Sequence, residues 1–196
     1  MTGSRIGISV ALMALIMVTC GTVQGAEPPF PMAIGSRWTY DAGPVTVVEE
    51  IVGIDDINGE QCLRVTTQVN GKVLSFEHHA VRPDGIYRVT IGGEPVVPPL
   101  RFFRFSPRDG EQWEVKSKVG DVDVSGQFKA GKATVTTPTG RYQTKTAQGT
   151  GFQSPSGEMN FTYFYAPGIG KVKQVIMVGE KGSQLVLKEF QPAAKP

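Results

Sequence analysis

The sequence predicts an all-β domain, built as a strongly curved antiparallel sheet or open barrel of about 10–13 strands. Three observations predict it. After residue 25 no segment keeps a helical apolar period over three turns, while alternation with a period of two is common. Turn-forming residues punctuate the chain roughly every 8–14 residues, the spacing of short strands. Two of these turns, Asn58-Gly59 and Asn70-Gly71, are two-residue hairpin signals, because a type I′ turn needs positive φ at both central positions.

The first element is not part of that domain. Arg5 is the only charge before Glu27, Ile6 to Val18 is apolar apart from Gly7 and Ser9, and small residues follow. A positive start, a short apolar run and a small-residue exit make a secretory signal spanning residues 1–25, with Val23 and Gly25 placed for cleavage before Ala26. The run is shorter than the roughly 20 residues needed to span a bilayer. The expected location is therefore exported, periplasmic or extracellular, with no transmembrane segment once the signal is removed. Cys20 raises a lipid-anchored alternative. Thr19 and Met17 depart from the usual lipobox residues, so the sequence favours cleavage before Ala26 over acylation of Cys20.

Taking 25 residues from the 196 leaves 171 for residues 26–196, read as a single β domain. The signal holds one of the 20 Lys and Arg and none of the 18 Asp and Glu, so the remainder carries a net charge of +1. Near-neutral, interspersed charge excludes the concentrated basic face that nucleic acid requires. Cys62 is the lone cysteine after the signal, so packing rather than an internal disulfide must hold the fold.

The Asn-Gly turns propose a register for residues 44–92, read as a four-stranded meander. A two-residue loop at Asn70-Gly71 pairs Val69 with Lys72, then Val65 with Phe76, Arg64 with Glu77 and Cys62 with His79. Asn58-Gly59 pairs Ile54 with Leu63 and Val52 with Val65. Both hairpins then put their apolar residues on one face. Pro95 to Pro99 cannot donate to a central ladder and reads as a connector or edge. Beyond it, strands are expected at 112–119, 121–130, 132–137, 141–149, 158–166, 170–178 and 184–190, with reversals at Gly131-Lys132 and Pro138-Thr139-Gly140. Asp121 to Ala130 alternates cleanly, with Val122, Val124, Phe128 and Ala130 on one face. A Gly-x-x-Trp-x-apolar echo, at Gly35 to Tyr40 and again at Gly110 to Val115, suggests two similar halves, 30–95 and 100–190, each anchored by a buried tryptophan, Trp38 or Trp113.

Phe30-Pro31-Met32-Ala33-Ile34-Gly35-Ser36-Arg37-Trp38-Thr39-Tyr40 resembles the opening motif of a family of uncharacterised exported bacterial proteins, aromatic-Pro-x-x-x-Gly-x-x-Trp-x-Tyr. Tyr165 to Lys173 resembles that family's late Pro-Gly-x-Gly-x-Val-Lys motif, and Thr137 to Tyr142 its Pro-small-Gly-x-aromatic turn. The matched residues are structural: turn glycines, a strand-opening tryptophan and a Pro-Gly corner. Architecturally the resemblance extends to the lipoprotein-carrier half-barrels, which implies a curved sheet around an apolar concavity. Those carriers cover the mouth with helices, and no helix is predicted here.

Candidate chemistry is sparse. His78 and His79 are the only histidines and adjacent strand residues face opposite ways, so no metal and no cofactor is expected. On the proposed register His78 caps the apolar face and His79 is exposed. The acidic turn Asp55-Asp56-Ile57-Asn58-Gly59-Glu60 lacks the calcium-loop spacing. Asp55, Cys62 and His79 form a cross-strand row that could serve a hydrolase-like enzyme, the third-ranked reading. The aromatic runs Phe102 to Phe105 and Phe161 to Tyr165 offer more ring surface than one sheet face needs. The first reading is therefore a non-catalytic exported domain that binds an apolar ligand, a glycan or an envelope protein. Strand phase nominates Phe103, Phe128, Tyr163 and Tyr165 as the ligand-binding lining. The second reading is a structural or protein-interaction module of the cell surface.

Overall fold

Asn58 and Asn70 hold positive φ, at 56° and 48°, and both close two-residue hairpins as their sequence demands. The computed structural model describes residues 31–154 and 157–194. The secretory signal expected at residues 1–25, and Cys20 within it, lie outside them. Twelve strands follow in order: β1 (Arg37–Asp41), β2 (Thr46–Ile57), β3 (Glu60–Val69), β4 (Lys72–Arg82), β5 (Gly85–Ile91), β6 (Glu94–Arg104), β7 (Gln112–Val119), β8 (Val122–Thr137), β9 (Gly140–Ser154), β10 (Gly157–Ala166), β11 (Gly170–Val178) and β12 (Lys181–Gln191). Each pairs antiparallel with its neighbours in sequence, and β12 returns to pair with β1. The curved sheet thus closes into a barrel, which removes its free edges. Among the described residues no helix is long and apolar enough to cross a membrane.

The meander at 44–92 forms with the expected strand order, but its register is corrected by two bulges. Ile54 pairs with Leu63 as expected, after which β2 slips at Val52 so that Ile51, not Val52, meets Val65. On the other hairpin Val69 pairs with Lys72, and then β4 gains a residue at Leu74. From there every pair is displaced by one: Val65 meets Glu77, Arg64 meets His78, Leu63 meets His79 and Cys62 meets Ala80. A one-residue displacement exchanges the faces. Glu77 and His79 therefore turn into the barrel, and His78 turns out.

Two other expectations are corrected. Gly131-Lys132 is not a reversal: β8 runs straight through it, pairing Gly131 with Thr146 and Lys132 with Lys145. A Cβ on Gly131 would stand 2.8 Å from the Thr146 hydroxyl, so the glycine serves a close strand contact rather than a turn. Pro95 to Pro99 lies within β6, where the strand leaves its partner. Thr90 meets Pro95 and Arg88 meets Leu100, so residues 96–99 swing away from β5. Val96 and Val97 then pair with Val119 and Lys118, and these are the only ladder pairs between β6 and β7. Beyond them the two strands part around a space of about 220 Å³ between Pro98, Leu100, Arg101 and Trp113, Val115, Ser117.

Both tryptophans are buried, as expected, and each sits in its own part of the interior. Trp113 lies with Phe102, Phe103, Phe128, Phe152, Phe161, Tyr163 and Tyr165. Trp38 lies with Tyr40, Ile51, Leu63, Val172 and Leu187. Trp38 Nε1 donates to the Ile169 carbonyl at 2.6 Å and Trp113 Nε1 to the Arg101 carbonyl at 2.9 Å. The buried indoles thereby satisfy their only polar group.

Candidate functional site

The four residues chosen by strand phase all point into the barrel and are buried. They are packed mainly against one another and other rings. Phe128 stacks on Trp113 at 5.2 Å between ring centres and meets Phe152 and Phe161 edge-on. Phe103 lies 4.2 Å from Tyr165, and Tyr163 lies 5.8 Å from Phe102. Aromatic packing fills most of this half of the interior.

A cavity of about 70 Å³ remains between residues of the two interior clusters. Met32, Ile51, Leu63, Val65, Ile86 and Phe102 give it an apolar wall. Tyr165 is the one member of the four that lines it. The register sets two further apolar residues beside its wall. Ile54 lies opposite Leu63, and Val81 lies opposite Ile86, so both share the inner face with residues of the cavity wall. Yet Ile54 is 49% exposed and Val81 38%. Two inward-facing apolar residues thus still meet solvent beside the cavity wall.

Two polar clusters border the cavity. In the first, Lys171 Nζ donates to Glu49 at 2.6 Å and to the Gln174 side-chain oxygen at 2.8 Å, while the Tyr40 hydroxyl donates to the Lys171 carbonyl at 3.0 Å. Burial, then the Glu49 carboxylate, hold the Tyr40 phenol well above its ordinary range. In the second, the Glu77 carboxylate accepts from Arg88 Nε and from His79 Nε2, both at 2.7 Å. Burial would push the Glu77 carboxyl up, but the Arg88 charge and the His79 contacts overcome it and hold the group well below the usual carboxylate range. Burial likewise opposes the charge on Arg88, and Glu77 more than offsets that. Arg88 also donates to the Tyr163 hydroxyl at 3.2 Å and lies 4.5 Å from the Phe102 ring centre. Tyr163 thus holds the arginine in place, which strand phase alone could not reveal.

The register change dissolves the Asp55–Cys62–His79 row. Asp55 still faces Cys62, but His79 is now inside the barrel and Asp55 and Cys62 are outside. His78 takes the outer position, donating or accepting between Asp55 at 2.8 Å and Thr90 at 2.7 Å. Arg64, expected to pair with Glu77, instead lies 3.2 Å from Asp55. Cys62 is fully buried with Ala80 and Val89 on that outer face, and burial pushes its thiol up, away from the reactive thiolate. The acidic turn is engaged locally: Asp56 accepts the Gly59 N–H at 2.8 Å, and Glu60 accepts both Arg82 Nε and Nη2.

No protein-family model matches the chain. No curated protein matches it either. Among solved structures, a candidate lipoprotein from Parabacteroides distasonis shares 12% identity over 83% of this chain and 97% of its own, with a TM-score of 0.45. A candidate exported protein with a YmcC-like fold from Bacteroides fragilis shares 15% identity over 83% of this chain and 98% of its own, with a TM-score of 0.44.

Proposed function

We propose that the chain is a non-catalytic exported binding domain that takes an apolar group into the mouth of its barrel. The residues at 1–25 support export, by the signal pattern of Arg5, the apolar run and Val23 and Gly25. The observation that carries the binding reading is the rim: Ile54 and Val81 face inward and stay exposed, opposite Leu63 and Ile86 of a cavity with an apolar wall. A cavity of about 70 Å³ is about half the roughly 150 Å³ that takes a benzene ring, so it offers room for a chain end and not for a whole lipid. The ligand is therefore held by its tip, with the remainder over the rim. Tyr165 contacts the tip directly, Phe103 and Tyr163 back the wall, and Phe128 packs deeper.

Titration with a fluorescent hydrophobic probe tests this reading. The wild type is expected to show saturable binding, weakened at least tenfold by Ile54→Asp and by Val81→Asp. Both positions are exposed enough for the variants to keep the native circular dichroism. Unchanged binding in both variants, or none in the wild type, would overturn it.

A protein-interaction module is the second reading, favoured by adjacent Val73 and Leu74 at the tip of the β3–β4 hairpin, 61% and 67% exposed. It predicts that Leu74→Asp abolishes co-purification of an envelope partner and leaves probe binding intact.

A further inference from the structure

Among the polar side chains of the cavity wall, Trp38, Tyr40, Glu49 and Lys171 each have an internal hydrogen-bond partner, and Tyr165 is engaged with its neighbours. His79 has one for Nε2 alone: that nitrogen is bound to Glu77 at 2.7 Å, and Nδ1 makes no hydrogen bond to the described residues. We propose that His79 Nδ1 is the polar contact of the cavity, and that it selects an uncharged ligand bearing a hydroxyl over one bearing an ionised carboxylate. The inference rests on the reading of the barrel mouth as a binding site and names the chemical class that site takes.

The tautomer follows from the neighbours. An ionised carboxylate only accepts, so the shared hydrogen between Glu77 and His79 sits on Nε2. With a single ring hydrogen held on Nε2, Nδ1 is left with a lone pair. It binds a group that brings a hydrogen with it. An alcohol or phenol does, and a carboxylate does not. The charges around the cavity point the same way. Arg88 is already paired with Glu77 at 2.7 Å, and Lys171 with Glu49 at 2.6 Å. An incoming carboxylate would find both cations engaged, meet two carboxylates, and lose its hydration against an apolar wall. A hydroxyl loses far less water and recovers a hydrogen bond. The hydroxyl-bearing end of the ligand enters first, its hydroxyl at His79, the adjoining carbons against the apolar wall and the rest of the chain passing out between Ile54 and Val81.

The test compares 1-hexanol with hexanoate, two ligands of equal chain length, at pH 8, read by intrinsic tryptophan fluorescence and by calorimetry. Hexanol is expected to bind at least tenfold more tightly than hexanoate. His79→Phe, which keeps a ring and removes the nitrogen, is expected to weaken hexanol at least tenfold and so to abolish its preference over hexanoate. Glu77 keeps Arg88 in that variant, and its melting temperature checks the fold. His79→Gln, which restores an acceptor, is expected to recover part of the preference. Hexanoate binding as tightly as hexanol would overturn the selection. Hexanol binding unchanged in His79→Phe would overturn the contact. In both cases the probe still separates wild type from Ile54→Asp, so the binding reading stands. If neither ligand nor probe saturates the wild type, both fall together.

Discussion

Glu77 is the residue on which the interior turns, because it neutralises Arg88 and orients His79 with one carboxylate. Removing it leaves a guanidinium in a mostly apolar lumen. Glu77→Gln is expected to cost about 3 kcal/mol, the low end for an orphaned buried charge because Arg88 keeps some exposure. Urea unfolding measures it. The pH dependence has a definite sign. A carboxyl held low in the folded state contributes stability that is complete above the unfolded glutamate value, about 4.3. That contribution is lost as the pH falls toward the folded value. The gap between wild type and Glu77→Gln should therefore be widest near neutrality and shrink below about pH 4. A gap that stays constant on acidification would overturn the assignment. At this scale the sequence drew attention to Glu77-His78-His79, but it assigned the inner and outer histidines the wrong way round. The extra residue at Leu74 caused that exchange, and nothing in Val73-Leu74-Ser75 distinguishes a bulge from a regular strand.

Strands show a sharper division between what could and could not be read. Turn chemistry is local, so Asn58-Gly59 and Asn70-Gly71 were legible: only residues that tolerate positive φ fit there. Bulges are decided by the curvature that closes the barrel, a property of all twelve strands together, and the register beyond them was therefore lost. Aromatic-glycine contacts are another collective feature. A Cβ on Gly126 of β8 would stand 2.5 Å from the Phe152 ring, and one on Gly149 of β9 would stand 2.5 Å from the Phe161 ring. Each glycine leaves the space over which a buried ring lies against a neighbouring strand. Gly149→Ala is expected to cost about 1–3 kcal/mol through overpacking, read from the denaturant midpoint. Adding Phe161→Leu should recover part of that loss, because the smaller side chain vacates the contested space. A purely additive double mutant would show that the ring and the glycine are independent.

Across the whole molecule, sequential pairing makes every hairpin a local event, and β1 with β12 supplies the long-range closure. The all-β class, the meander and the two buried tryptophans were legible, because alternation, turns and large rings are properties of short windows. Closure was not, since it depends on where Arg37 to Asp41 meets Val186 to Gln191. The narrow junction of β6 with β7 has a consequence for amide hydrogen exchange. Val119 and Val122 flank a two-residue turn, which makes them a hydrogen-bonded pair on the β8 side. Counting back, Ser117, Val115 and Trp113 also direct their N–H groups to β8. Gln112, Glu114 and Lys116 direct theirs to the opening, where no ladder pair receives them. Deuterium should therefore enter β7 in alternation, fast at 112, 114 and 116 and slow at 113, 115 and 117, with the difference vanishing at Lys118, whose residue pairs with Val97. Uniform protection along β7 would mean that the two strands zip together in solution. The alternating pattern would make this one barrel wall a place where water reaches the backbone every second residue.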